Sequence, residues 1–138
     1  MRVGIDFHGC IDLYPSIFSN LSHNLHRAGN GVYIITGQEA SRVIDGLKKY
    51  KIYYDQILST VDYHLSIGTK MWQDEKQTWW MDRQIWLKSK SVFIKDYKID
   101  LHFDDQPEYA EFCNGSNTTF ILVPKKGFEK FASQFLME

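Results

Sequence analysis

Five short apolar runs, separated by stretches of helical period, leave this chain few ways to fold. Arg2-Val3-Gly4-Ile5-Asp6, Gly31–Thr36, Ile52–Leu58, Asp100–Asp104 and Thr118–Val123 all have strand length and apolar centres. A run that is apolar on both of its faces needs cover on both, and the helices between such runs supply it. The expected fold is therefore α/β: a three-layer, Rossmann-like parallel sheet with helices on both faces.

The intervening stretches carry the helical signals. Pro15 suits a first turn, and Ile17, Leu21, Leu25 and Ala28 recur on one face until Gly29-Asn30-Gly31. Gly37 opens a second helix with Val43, Ile44 and Leu47 inward. From Ser59 to about Gln77 the pattern lapses, which reads as a small insertion (59–77) after the third strand. Helical character resumes at Thr78 and runs to Ile99. That is long for one helix, and Ser89 is a reasonable N-cap for a second one starting at Lys90, with Val92, Phe93 and Tyr97 inward. A short helix near Pro107–Phe112 and a last one from about Gly127, with Phe128, Phe131 and Phe135 as its apolar face, complete the pattern.

With 138 residues, 43% of them hydrophobic, the chain suits one domain (1–138) whose core needs no metal or disulfide staples. Its 16 basic and 17 acidic residues are interspersed, and the net charge of −1 argues against general electrostatic capture by nucleic acid or an anionic membrane. MRVGIDF lacks the form of a signal peptide, and no run approaches the roughly 18 apolar residues of a membrane span, so the expectation is a soluble, cytoplasmic protein. Cys10 and Cys113 show no metal-ligand or CxxC spacing and read as reduced thiols.

In an open parallel sheet, ligands bind outside the carboxyl ends of the strands, where strand order reverses. Those ends carry Asp6, Thr36 and Asp104-Asp105, and Lys90 precedes the fourth strand. Such residues suit phosphoryl transfer through a carboxylate. Asp6 and Asp104 could hold a hard divalent cation such as Mg²⁺, while Thr36 and Lys90 hold phosphoryl oxygens and Gly9 and Gly37 admit close backbone approach.

DxxG after the first strand, VYIITG in the second, a lysine ahead of the last motif, and DD in LHFDD resemble, in that order, the haloacid dehalogenase-like (HAD) superfamily. The likeness is to its small capless or minimally capped phosphatases and nucleotidases, over about residues 1–112. The resemblance implies a Mg²⁺-dependent phosphomonoester hydrolase working through an aspartyl phosphate. It makes Asp6 nucleophile and metal ligand, Thr36 and Gly37 phosphate-binding, Lys90 the phosphate lysine, Asp104 a metal carboxylate, and Asp105 an outer or second metal ligand. The substrate it implies is a phosphorylated small molecule or nucleotide, and a nucleic-acid end fits an open site. His8 departs from the pattern, because family members carry a second aspartate there as acid and base. The metal contact of that position runs through its backbone carbonyl and survives, and an imidazole is a competent proton shuttle. Cys10 also departs, from a usual threonine.

Plainer readings stand beside these. Asp6 and Asp105 could be capping carboxylates, Lys88 and Lys95 compete with Lys90, and Asp12 reads as a loop or cap residue near Pro15. His64 and His102 have no partner at ligand spacing and read as structural. Trp72, Trp79, Trp80 and Trp86 read mostly as packing, or as a stacking wall over the site. The alternative function is a HAD-like phosphate-binding or interaction module without turnover. A response-receiver domain is disfavoured, because its acid pair follows the first strand and its phosphoacceptor the third.

Overall fold

The computed structural model describes residues 1–113 and 116–135. Its order is β1 (Arg2–Ile5), α1 (Pro15–Arg27), β2 (Gly31–Thr36), α2 (Ala40–Lys49), β3 (Gln56–Ser59), α3 (Thr60–Ile67), β4 (Trp72–Gln73), β5 (Trp79–Trp80), α4 (Arg83–Asp96), β6 (Leu101–Asp104), α5 (Glu108–Glu111), β7 (Thr119–Leu122) and α6 (Phe128–Phe135). Five strands form one parallel sheet in the order β3-β2-β1-β6-β7. The chain winds outward from β1 through β2 and β3, then returns to the other side of β1 with β6 and β7. That reversal puts a crevice at the carboxyl ends of β1 and β6.

The two faces bury different residues, as a doubly covered sheet requires. On one, Val3, Ile5, Val32, Ile34 and Phe103 meet Phe18 of α1, Val43 and Leu47 of α2, and Phe128 and Ala132 of α6. On the other, Ile35 and Leu58 meet Phe93 and Ile94 of α4 together with Ile99 and Cys113. Among the described residues no helix is long and apolar enough to cross a membrane.

Several boundaries differ from the sequence expectation. The third strand starts at Gln56 rather than Ile52, because Asp55 accepts the Val32 N–H through its side chain and donates its own N–H to the Val32 carbonyl, marking the strand's entry. The stretch 59–77 is less irregular than its pattern suggested. Ser59 caps α3 by accepting from Asp62 N–H, Gly68 closes that helix in the left-handed region, and β4 and β5 pair as an antiparallel hairpin. Ser89 starts no helix: Asp82 accepts from the N–H groups of Gln84 and Ile85, and α4 runs unbroken past Ser89, whose hydroxyl donates back to the Ile85 carbonyl. Ile44 is 44% exposed, so α2 packs through Val43 and Leu47 alone of the three expected, and Ala28 lies exposed beyond the end of α1. The Phe131 and Phe135 side chains lie outside the described residues.

Candidate active site

The loop after β1 is held on three sides. Asp6 extends the ladder, donating its N–H to the Phe103 carbonyl at 2.9 Å. Phe7 is buried against α2, where a Cβ on Gly46 would stand 2.4 Å from its ring. Gly9 turns the chain at φ +81°, and a Cβ there would lie 2.1 Å from Asp105 Oδ2. Glycine is needed for both conformation and space, since the Asp105 carboxylate packs directly over this backbone.

Asp6, Lys90 and Asp104 meet at the switch point. Lys90, reaching in from the middle of α4, donates from Nζ to Asp6 Oδ1 at 3.0 Å and to Asp104 Oδ2 at 2.7 Å, and all three are buried. Its ammonium also stands 4.5 Å from the centre of the Tyr109 ring. Lys88 and Lys95 are exposed on the same helix, and of the three lysines Lys90 is the one that lines the cleft. His102 Nε2 lies 3.0 Å from Asp104 Oδ2, and the Gln106 N–H donates to Asp104 Oδ1 at 3.0 Å. Both oxygens of Asp104 are thus engaged within the protein.

The charges set one another. Burial raises the Asp6 carboxyl well above the usual range; Lys90 pulls it down, while Asp104 and Asp105 push it further up. Burial also opposes ionisation of Asp104, but the Lys90 ammonium and the His102 hydrogen bond outweigh it and hold that carboxyl well below its usual range. Desolvation of Lys90 is likewise outweighed by Asp6 and Asp104, so the ammonium is firmly held. Asp6 and Asp104 share one cation, Asp105 lies beside Asp6, and the favoured partner of that cation is Asp104.

The cleft above Asp6 has a volume of about 380 Å³. Gly37, Gln38, Arg83, Trp86 and Tyr109 wall it, with Asp6, His8, Lys90 and Asp105 also facing in. Thr36 is completely buried beneath this wall and accepts the Gln38 N–H at Oγ1, so Gly37 and Gln38 present the β2 end to the cleft. Trp86 lies against Gly37, where a Cβ would be 2.7 Å from its ring. The other tryptophans divide differently from the expected packing: Trp72 and Trp80 are about half exposed, at 51% and 50%, as a cross-strand pair on the hairpin.

Asp6, Asp105 and Cys10 bring one ligand atom each within 4.8 Å of the others. A hard cation takes the oxygens and leaves the soft Cys10 sulfur aside; burial and the Asp6 charge push the Cys10 thiol up.

Some of the site was missed in the sequence. The His102–Asp104 contact had a signal, since residues two apart on a strand share a face. So did Trp86 with Lys90, four apart on α4. Arg83, Gln38 and Tyr109 had none beyond lying near motif residues. His64, expected to be structural, joins α3 to α4 through Thr69 Oγ1 and Ser89 Oγ, each at 2.8 Å from a ring nitrogen. No protein-family model matches the chain, and no curated protein matches it.

Proposed function

We propose that this protein is a HAD-type phosphomonoester hydrolase that passes the phosphoryl group through Asp6 with the help of Mg²⁺. The observation that carries the reading is a buried carboxylate on the floor of the switch-point cleft, bridged by Lys90 to Asp104 and flanked by Asp105. On this reading the segment 59–77 is the family's small insertion.

The residues fit a hard divalent cation. Three carboxylates against one ammonium leave an excess of negative charge, and the oxygens free of Asp104's hydrogen bonds belong to Asp6 and Asp105. Asp6 and Asp105, with the His8 backbone carbonyl, would hold Mg²⁺, and Asp104 serves by holding Lys90. Bound there, Mg²⁺ masks the repulsion between the Asp6 carboxylate and an incoming phosphate.

An Asp6 oxygen attacks phosphorus, and the bond from phosphorus to the ester oxygen breaks. That oxygen takes a proton from His8 and leaves as an alcohol. Water then attacks the aspartyl phosphate, its proton passes to His8, and the bond between Asp6 and phosphorus breaks to release phosphate. Lys90, already beside Asp6, neutralises phosphoryl charge, and the backbone at Gly37 borders the remaining oxygens without a Cβ in the way. Trp86, Tyr109 and Arg83 suit a planar leaving group that carries further negative charge, which makes a nucleotide the first substrate to try.

The test is phosphate release from a panel including 5′- and 3′-nucleotides, with Mg²⁺ or EDTA, comparing wild type with Asp6→Asn. Metal-dependent release that Asp6→Asn abolishes is the expected result. Absence of such release from every substrate would sink the enzyme and leave a phosphate-binding module, as the loss of a second aspartate at His8 would produce.

A further inference from the structure

The turn Phe7–Ile11 does more than place Asp6. His8 Nδ1 lies 3.2 Å from Asp12 Oδ2, and the other oxygen of the same carboxylate accepts the Gly9 N–H at 2.8 Å. A spacing of four residues would be routine in a helix, but no helix produces this contact. His8 is extended at φ −74° and ψ 129°, and Gly9 is left-handed at φ +81°. The chain folds back on itself to bring the two side chains together. From another side the Phe7 ring meets the imidazole edge-to-face, with centroids 5.1 Å apart. Phe7 is itself pinned to Gly46 of α2, so one edge of the imidazole rests on the core and Nδ1 rests on a carboxylate.

We propose that Asp12 is a positioning residue: it fixes the ring of His8 with Nδ1 as donor, leaving Nε2 as the nitrogen that serves the cleft. This rests on the phosphatase reading above and deepens it. An ionised carboxylate only accepts, so the nitrogen beside it carries the hydrogen, and a neutral ring then has its lone pair on Nε2. His8 lines the cleft with Asp6, Asp105, Arg83 and Glu108, and its side chain is 54% exposed. An imidazole so exposed and without a partner would turn freely and divide between tautomers. With Asp12 in place, Nδ1–H is kept throughout the cycle: the imidazolium gives its Nε2 proton to the leaving oxygen, and the neutral Nδ1–H ring that remains takes a proton back at Nε2 from the attacking water. A single loop thereby supplies nucleophile, proton carrier and the carboxylate that orients the carrier, in the place of one aspartate side chain.

The test begins with a measurement independent of turnover. In ¹⁵N-labelled protein, two-bond ¹H–¹⁵N spectra report the tautomer of each of the five histidines, and His8 is assigned by the signals lost in His8→Gln. Wild type is expected in the Nδ1–H form, and Asp12→Asn, which keeps an acceptor for Gly9 N–H but offers an amide to Nδ1, is expected to move His8 toward Nε2–H. A wild-type ring in the Nε2–H form, or one unchanged by Asp12→Asn, would overturn the proposal. For turnover, Asp12→Asn should lower kcat roughly tenfold to a hundredfold with KM within about twofold, and the loss should vanish in a His8→Gln background. An equal loss in both backgrounds would assign Asp12 to the Gly9 N–H alone and overturn the positioning role. A chain with no Asp6-dependent phosphate release fails the phosphatase reading instead, and the tautomer still decides whether Asp12 sets the ring.

Discussion

Lys90→Met isolates the interaction on which the site is built. The side chains are similar in volume, so the change removes charge and hydrogen bonds with little cavity. Contacts of 3.0 and 2.7 Å to Asp6 and Asp104 correspond, at an effective dielectric of about 20, to roughly 5–6 kcal/mol of attraction each. Most of that offsets the desolvation of three buried charges, and removing one partner of such a group costs about 3–5 kcal/mol net. For a chain of this length that is a fall of roughly 10–20 °C in Tm, and a large part of a total stability on the order of 5–15 kcal/mol. The sign of the pH dependence follows from what is left behind. Without Lys90, Asp6 and Asp104 are buried beside each other uncompensated, so both carboxyl groups are raised in the folded state, and each destabilises the fold increasingly as pH rises past its unfolded value. Urea denaturation should therefore show a larger penalty at pH 7.5 than at pH 5. Lys90→Met/Asp104→Asn should recover about 1–3 kcal/mol of the loss at pH 7.5, by removing one of the stranded charges. A Lys90→Met protein within about 1 kcal/mol of wild type at pH 7.5, with no difference at pH 5, would refute the account of the triad.

The same geometry gives further expectations. Gly9→Ala combines a left-handed backbone with a Cβ against Asp105, so it should cost about 1–3 kcal/mol in urea denaturation, and calorimetry should show Mg²⁺ binding at least tenfold weaker. Asp105→Asn should weaken Mg²⁺ by a similar factor while leaving Tm within a few degrees, on the order of what a partly exposed carboxylate contributes. Gly37→Ala should push Trp86 from its seat, raising KM for nucleotides more than for small phosphomonoesters; equal changes would mean that Trp86 does not touch the leaving group. Burial lowers His102 from the ordinary value of 6.5, so the neutral ring stabilises the fold above that pH, and stability falls as pH drops below it. Asp104, held low by Lys90, adds its own loss at still lower pH. A urea midpoint unchanged from pH 7.5 to 5 would contradict the His102 assignment.

The parallel sheet was legible because its strands are apolar on both faces, a pattern few other folds use. The residues at the strand ends followed from topology once the strands were placed. What escaped depended on backbone detail. Asp82 displaced Ser89 as the cap of α4 because a carboxylate seven residues earlier met two free N–H groups, and apolar periodicity is the same whether one helix or two carry it. Trp72 and Trp80 were expected mainly to pack, but a two-residue hairpin has too little length to bury both faces, and their rings are left half exposed. The His8–Asp12 contact was hidden for the opposite reason. It needs the left-handed turn at Gly9, and a glycine in a sequence announces freedom without saying how it is used.

Adjacent Asp104 and Asp105 show how one step along a backbone divides a chemical task. Successive residues of a strand face opposite ways, so the last residue of β6 and its neighbour do not share an environment. Asp104 shares its side with His102 and turns inward to Lys90, where its oxygens are used; Asp105 follows the strand's end and lies over Gly9, beside Asp6. One carboxylate places the cation the protein carries itself, and on the proposed reading the other would hold a cation from solution. Exchanging the roles would require Asp104 to abandon an ammonium at 2.7 Å, which costs more than a surface carboxylate gains by moving. The acid pair is thus two devices with separate sensitivities: Asp104→Asn should act first on stability and Asp105→Asn first on metal affinity.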